Sequence, residues 1–217
     1  MIEILFLGFL WYQIIAIFGV SAGLHRYFAH NQFTASKTYE IVALYLAMLA
    51  GSRSPLGWIG AHRIHHQYSD TEKDPHSPTH QGFWKVLFSM WTIKSIPKKY
   101  IKDLLKNPRI IFFHRYWLHI YVLTSIIIFS IGFKLFLIIV VIPHILGFLG
   151  YGLFNVLGHS DDKPTNNWII NILAVGEGFH EPHHKNSRLV RLHKWDITGW
   201  IIEKLFLTNQ KQLEQKY

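Results

Sequence analysis

The sequence predicts an all-α integral membrane protein with about three transmembrane helices, further interfacial helices and a cytoplasmic helical cap. Composition is the first reason, since half of the 217 residues are hydrophobic and only 16% are charged. An average soluble domain has ~25% charged residues. The chain also has 15 histidines and no cysteine, which excludes disulfides, thiol nucleophiles and iron–sulfur clusters within it.

Three uncharged or nearly uncharged stretches predict the membrane spans. Residues 4–24 have about the ~20-residue length of a spanning helix. We interpret them as a retained helix, because no basic segment precedes them and no small-residue cleavage pattern follows. The next apolar region is long enough for two spans, at residues 117–132 and 135–158, with a turn at Gly132 and Lys134. Glycines in the second of these spans allow close helix approach.

A shorter apolar stretch, residues 41–50, decides the topology. A run of this length is more typical of an interfacial, re-entrant or buried segment than of a span. If it does not cross, residues 25–115 and 159–217 lie on one side of the membrane, and residues 1–217 form a single membrane domain. The N-terminus then lies on the other side, unless a further helix precedes it.

The charge distribution indicates which side this is. Between positions 53 and 115, Lys and Arg outnumber Asp and Glu by 11 to 4, which predicts a cytoplasmic loop. The net charge of +9 fits attraction to anionic lipids, and no nucleic-acid-binding motif is recognisable. Lysines between residues 98 and 106 alternate with apolar residues at roughly helical spacing. This predicts a helix in the lipid headgroup layer or a solvated helix packed on its own domain.

Nine histidines lie in three tight clusters and one short motif. The clusters read H-x4-H, H-x2-H-H and H-x2-H-H, and the motif is Asn155-x3-His159. The nine are His25, His30, His62, His65, His66, His159, His180, His183 and His184. A transition metal rarely takes more than six ligands, so nine converging imidazoles imply two metals. A zinc hydrolase needs only three or four protein ligands, so this set favours redox metals and oxygen activation.

Helix geometry predicts how these side chains are oriented. On an α-helix, positions i, i+3 and i+4 share one face. The three histidines of each H-x2-H-H cluster are therefore expected to converge on one point, and Asn155 is expected to face the same way as His159. His25 and His30 are five residues apart, about 140° round an α-helix. We expect them to serve two different centres.

With these motifs the sequence resembles the membrane fatty-acid desaturases of the stearoyl-CoA (delta-9) type, an integral-membrane di-iron family with three histidine boxes. The resemblance runs from about Gly19 to Trp200. Besides the boxes it rests on Asp-Pro-His at 74–76, Gly-Phe-Trp at 82–84 and Gly-Glu-Gly-Phe-His at 176–180. It implies that the nine histidines ligate two iron ions (Fe2+/Fe3+), with Asn155 acting through a bound water.

The resemblance also implies a reaction and further site residues. O2 is the co-substrate, and two hydrogens leave adjacent methylenes of an acyl chain to give a cis double bond at position 9. Metal-bound histidines normally give their second N–H to a carboxylate or carbonyl, so Asp70, Asp74 and Glu177 are expected beside the ligands. His76 is expected to contact a ligand or the substrate. Trp58 matches a family aromatic near the substrate, although an interfacial tryptophan is an equal alternative.

Departures from the family pattern bear on the partners. Gly60 and Ala61 stand where the animal acyl-CoA enzymes have Arg and Asp, so the acyl chain is CoA-linked, carrier-protein-linked or lipid-linked. No fused cytochrome b5 is recognisable, so we expect a separate ferredoxin, rubredoxin or cytochrome as electron donor. The active site is expected on the cytoplasmic face, in a bacterial inner membrane rather than the endoplasmic reticulum.

Two other functions stay open at this point. A membrane di-iron lipid hydroxylase would use the same oxidant but return oxygen to carbon. A haem-binding membrane electron carrier would pair histidines on two spanning helices, and only His119 and His144 lie within the predicted spans.

Overall fold

A computed structural model describes residues 1–88, 93–159 and 162–207. Over these residues it contains helices and no β-strand, which confirms the all-α class. In chain order the helices are α1 (Ile2–Ala29), α2 (Lys37–Leu49), α3 (Pro55–Tyr68), α4 (Pro78–Gln81), α5 (Phe83–Leu87), α6 (Pro108–Ile131), α7 (Phe133–Leu157), α8 (Trp168–Leu173), α9 (His180–Lys185) and α10 (Ile197–Ile202).

Among the described residues, α1, α6 and α7 are long and apolar enough to cross a membrane, so the predicted number of spans is confirmed. Two of these helices extend well beyond the predicted limits. α1 continues past residue 24, carries His25 in its last turn and is followed directly by His30. α6 begins at Pro108, where the side chain of Asn107 caps it by accepting the backbone N–H of Arg109. Gly132 separates α6 from α7, as predicted for the hairpin.

The short apolar stretch forms α2, whose 13 residues are too few for a span. The side chain of Ser36 caps its start by accepting the backbone N–H of Tyr39, 3.1 Å away. α2 then runs antiparallel to α1, with Ala43 against Gly23 and its last turn against Gly19. Its end, Ala50, meets α7 near the middle of that spanning helix. The chain turns there and returns through α3.

Glycines of α7 make these close contacts possible. A Cβ atom on Gly147 would overlap the carbonyl oxygen of Ala50, and one on Gly152 would overlap the carbonyl oxygen of Leu87. The backbones of α5 and of the turn between α2 and α3 therefore rest directly on α7. This confirms the expectation of close approach at the glycines of this span.

The core lies where α1, α2, α3 and α6 meet. Leu24, Leu44, Ile59 and Ile110 are all buried and belong to one apolar cluster. This packing places the end of α1 beside α3, and it thereby brings the first two histidine boxes together.

The lysine-rich segment is not the helix that its spacing predicts. It forms two 3-10 turns, Lys98–Tyr100 and Leu104–Lys106. Ile96 packs against Gly60 of α3, and Arg63 of α3 donates to the carbonyl of Tyr100 at 2.8 Å. Because these contacts fix the segment to α3 at several points, it follows the surface of that helix instead of forming a helix of its own.

Candidate metal centre

The nine clustered imidazoles form two adjacent groups. Within each group, one ring nitrogen of every histidine lies within 4.8 Å of the corresponding nitrogens of the others. We call these groups centre one and centre two. Centre one contains His25, His30, His62, His66 and His183, and centre two contains His65, His159, His180 and His184.

Each H-x2-H-H box is divided between the two centres, so the expectation that a box converges on one point is wrong. In α3, His62 and His66 belong to centre one and His65 to centre two. Positions i and i+4 lie almost one above the other on a helix, whereas His65 is turned about 100° from His66. A helix that lies between two centres can therefore supply both.

α9 repeats this division in reverse. His180 and His184 belong to centre two, and His183 belongs to centre one. Nε2 of His183 lies 2.9 Å from Nε2 of His25 and 3.0 Å from Nε2 of His66. The third box thus completes both centres.

His25 and His30 lie in the same centre, and the expectation that they serve different centres is also wrong. That expectation assumed an α-helix, but the second half of α1, Ala16–Ala29, is a π-helix. Its hydrogen bonds join residues five apart, and the backbone N–H of His30 donates to the carbonyl of His25 at 3.1 Å. Residues five apart therefore stack along one face, and the two rings lie 4.9 Å apart.

Three carboxylates lie against the outward nitrogens of the imidazoles. Nδ1 of His65 is 2.9 Å from both oxygens of Asp74, and Nδ1 of His159 is 2.8 Å from Asp70. Nδ1 of His25 is 3.1 Å from Glu177. The structure thus places all three carboxylates that the sequence indicated beside histidines.

The donor set of centre two fits a metal cation. Burial disfavours ionisation of Asp74 and Asp70, but the hydrogen bonds that they accept, including those from His65 and His159, outweigh it and lower the pKa of each carboxyl. Ionised carboxylates only accept hydrogen bonds, so His65 and His159 carry their protons on Nδ1. Their Nε2 lone pairs then point at the Nε2 atoms of His184 and His180, 3.2 and 2.9 Å away. Ring nitrogens that converge in this way fit a metal cation, and imidazole suits iron, copper, zinc and nickel.

The protonation state of the less buried imidazoles also suits metal binding. Burial, reinforced by neighbouring imidazoles, lowers the pKa of His30 and of His184 to about 2. The same causes lower the pKa of His66 further. The rings therefore remain neutral at physiological pH, which is the form that binds metals.

One network beside centre one has residues that the sequence did not point to. Arg26 is only 1% exposed. Its Nε donates to Glu177 at 2.8 Å, and its two terminal nitrogens donate to Asp196 at 2.9 and 3.0 Å. Glu177 also accepts the hydroxyl of Ser21. Arg26 could have been singled out from the sequence, because it is a charged residue directly after His25 in an apolar helix. Asp196 has no such signal in the sequence.

An apolar cavity leads away from the centres between α1 and α7. Trp58 lines it and stacks on His62, with ring centroids 5.3 Å apart. Tyr151 lies 5.8 Å from Trp58 and hydrogen-bonds Nε2 of His76 at 2.9 Å. Asn155 is buried at the cavity wall and donates to the carbonyl of Tyr151 at 2.9 Å. The roles of Trp58, His76 and Asn155 toward substrate and metal stay predictions.

Helices long enough to span a membrane, two groups of imidazoles that could hold metal ions and an adjoining apolar cavity define an integral membrane protein with a candidate metal centre. The model of the fatty acid desaturase family matches residues 4–195. The chain belongs to the fatty acid desaturase family, and the predicted resemblance is confirmed.

Named relatives show the range of this family. The chain is 33% identical to an acyl-CoA C20 delta5-desaturase of Anemone leveillei, over 91% of this chain and 69% of the relative. It is 29% identical to an sn-1 stearoyl-lipid 9-desaturase of Anabaena variabilis, over 95% and 84% of the two chains. A Synechocystis sp. protein with the same description is 30% identical over 88% of this chain and 64% of its own length. These names differ in double-bond position and in the carrier of the acyl chain.

Proposed function

We propose that this protein is an O2-dependent fatty acyl desaturase that uses two histidine-ligated iron ions and introduces a cis double bond at position 9 of a saturated chain. The observation that carries the proposal is the position of the two imidazole centres at the inner end of an apolar cavity. Two irons would supply the oxidation of an unactivated C–H bond, which no side chain can perform. Centre one and centre two would each hold one of them.

The residues of the chain would position the substrate and exclude water. Trp58 and Tyr151 form an apolar wall next to His62, against which methylenes of an acyl chain can pack. The carboxylates on Nδ1 would keep the imidazoles in one tautomer and orientation. Position 9 is favoured by the descriptions of the Anabaena and Synechocystis relatives, whereas that of the Anemone relative indicates that position 5 also occurs among similar chains.

The packing around Gly60, two residues before the second histidine box, supports an acyl carrier other than CoA. Gly60 lies against the side chains of Ile96 and Ile101, and a Cβ atom there would be 3.1 Å from the Cγ2 atom of Ile101. An arginine side chain, which the animal acyl-CoA enzymes have at this position, has no space in this packing. We therefore favour a lipid-linked or carrier-protein-linked acyl chain.

The lysine-rich segment supports docking of a separate acidic electron donor. Lys98, Lys99 and Lys102 are exposed, and the segment is attached to the back of α3 through Arg63, which pairs with Asp103 at 2.7 Å. α3 carries His62, His65 and His66 on its other face. A donor bound to these lysines would therefore be separated from the metals by about one helix diameter, ~10 Å. The same basic surface supports a cytoplasmic location of the site.

Expression in a desaturase-deficient host, followed by gas chromatography and mass spectrometry of the fatty acids, tests the proposal. An alkene two hydrogens lighter than its parent is expected, with the double bond at position 9. An alcohol one oxygen heavier would indicate a hydroxylase, and a haem absorption band in the purified protein would indicate an electron carrier. His65→Ala and His183→Ala should abolish the product, whereas His80→Ala, which removes an exposed histidine outside both centres, should not. Full activity of the first two variants would overturn the di-iron assignment.

A further inference from the structure

The cavity that leads to the imidazole centres contains one arginine, Arg53. It lies in the turn between α2 and α3, residues 50–54, which we call the re-entrant turn. Among the described residues that line the cavity, the charged ones other than histidines are Arg53 and Glu177. Glu177 is already held by Arg26 and lies beside His25.

The re-entrant turn lies deep beside a spanning helix. Ala50 rests on Gly147, and a Cβ atom on Gly51 would lie 3.4 Å from His144, and both Gly147 and His144 are in the middle of α7. The guanidinium of Arg53 lies over the ring of Phe148, 5.9 Å from its centroid. Asn155 marks one end of the cavity. Phe148 lies seven residues before Asn155 in α7, about 10 Å along that helix. An ionisable side chain at such a depth indicates a functional site.

Arg53 has no anionic partner in residues 1–88, 93–159 and 162–207. The other arginines near the centres do, since Arg26 pairs with Glu177 and Arg63 pairs with Asp103. A guanidinium is always charged, and placing it against an apolar wall without a counter-charge is unfavourable. A bound anion would supply the missing partner.

The backbone at this position is also under strain. Arg53 has a φ of +57°, and Val175 has a φ of +49°. The other non-glycine residues with positive φ are Asn and Asp, which tolerate this region, whereas Arg and Val do so rarely. Arg53 and Val175 both line the cavity. Strained backbone of this kind is typical of ligand-binding sites, where the surrounding structure holds it in place.

The rest of the cavity wall matches the polarity of an acyl chain. Such a chain has one polar end and a long apolar body. Trp58 and His62 lie next to one another along the wall, and Ala16 and Val20 provide apolar surface on α1. Tyr12 also lines the cavity, but its hydroxyl is already bonded to the carbonyl of Leu173 at 2.9 Å. Arg53 is thus the cationic point at which the polar end could bind.

We propose that Arg53 binds an anionic group at the polar end of the acyl substrate, either the phosphate of a lipid-linked chain or the carboxylate of a free fatty acid. Its position would then determine which methylenes lie beside His62, and so the position of the double bond. This inference rests on the proposed desaturase function. It predicts that the protein selects anionic acyl lipids over neutral ones.

Binding measurements on the purified, iron-loaded protein in detergent test this assignment. The probes are stearate, 1-stearoyl-lysophosphatidate and methyl stearate, which share an acyl chain and differ in their polar end. The variants are Arg53→Gly, Arg53→Lys and, as a control, Lys134→Gln in the first turn of α7. Glycine adopts positive φ freely, so Arg53→Gly should unfold at the same temperature as wild type or above it, and a loss of binding cannot be attributed to misfolding.

The wild type should bind at least one anionic probe about tenfold or more tightly than methyl stearate, as expected for a charge-assisted hydrogen bond. Arg53→Gly should lose this preference and leave methyl stearate binding unchanged, while Arg53→Lys keeps part of it and Lys134→Gln keeps all of it. Preference for stearate would assign a carboxylate, and preference for lysophosphatidate a phosphate. Equal binding of all three probes, or equal weakening of all three in Arg53→Gly, would overturn the inference. If fatty-acid analysis still shows the alkene in that case, the proposed function stands without it.

Discussion

Nδ1 of His65 lies 2.9 Å from both carboxylate oxygens of Asp74, and both side chains are buried. Asp74 also accepts the backbone N–H groups of Asp70 and His76, at 2.9 and 2.8 Å. The carboxylate is therefore fixed by its own loop before it contacts the imidazole. It sets the tautomer of His65 and directs the Nε2 lone pair into centre two.

Asp74→Asn should weaken metal binding about 10–100-fold, the usual effect of removing a carboxylate behind a ligating histidine. The amide no longer forces the proton onto Nδ1, and it lowers the basicity of the ring. Competition titration with a chelator measures the affinity. Glu72→Gln removes an exposed carboxylate from the same loop and should have no effect. Equal affinity of the two variants would show that Asp74 has no influence on the site.

Asp196→Asn should lower the free energy of unfolding by about 3 kcal/mol, because the buried Arg26 guanidinium loses one of its two carboxylates. Its matched control is Asp103→Asn, which breaks the Arg63 pair, where the side chain of Asp103 is 53% exposed. An exposed pair of this kind contributes less than about 1 kcal/mol. Unfolding in mixed detergent micelles compares the two. Equal losses would mean that burial of Arg26 does not matter for stability.

Acid should destabilise the metal-free protein below the ordinary histidine pKa of 6.5. Burial lowers the pKa of His30 and His184 to about 2 in the folded chain. The unfolded chain therefore binds more protons as the pH falls below about 6.5, and the free energy of unfolding decreases by up to ~1.4 kcal/mol per pH unit for each such ring. Thermal unfolding at several pH values between 5 and 8 measures the slope.

Two substitutions separate this effect from other sources of acid sensitivity. His30→Ala should reduce the slope, because one buried ring is gone. His80→Ala removes an exposed histidine and should leave the slope unchanged. A flat profile for the metal-free wild type between pH 6.5 and 5 would contradict the burial of neutral rings.

The spans and the set of clustered histidines could be predicted because both are local signals. An uncharged run such as residues 4–24 needs a membrane whatever it packs against. The spacing of His62, His65 and His66 likewise identifies a site on one turn of a helix. The short stretch at residues 41–50 left three alternatives open, since only its packing on α1 and α7 distinguishes them.

The distribution of ligands could not be predicted, because it depends on helix type and on packing. His25 and His30 share a centre only because this part of α1 is a π-helix, for which the sequence carries no simple signal. Asp196 lies far along the chain from Arg26 and comes to it through the tertiary fold. The position of Arg53 in the cavity could likewise not be predicted, because it depends on the packing of the re-entrant turn against α7.

Reversing the charge of the lysine surface should weaken electron delivery. In the triple variant Lys98→Glu, Lys99→Glu and Lys102→Glu, the KM for an acidic donor should rise, most strongly at low salt, because docking is electrostatic. The rate at saturating donor should change little, since no residue of either centre is altered. Lys134→Glu, in the first turn of α7, serves as the control. A salt dependence equal to that of the wild type would rule out docking at this surface.

The contact between Gly147 and Ala50 should control both stability and the position of the double bond. A Cβ atom on Gly147 would overlap the carbonyl oxygen of Ala50, so Gly147→Ala must push the re-entrant turn away from α7. Overpacking of this kind lowers the free energy of unfolding by about 1–3 kcal/mol. Because the turn carries Arg53, the variant should also yield a mixture of positional isomers.

Gly132→Ala is the matched control for this prediction. Gly132 also belongs to the hairpin of α6 and α7, but its φ of 168° is extended backbone, and a Cβ atom there would meet nothing within 4 Å. This variant should unfold like the wild type and give a single isomer. Mass spectrometry of the derivatised products locates the double bond. A single unchanged isomer from a destabilised Gly147→Ala variant would show that the turn contributes to stability but does not set the position of desaturation.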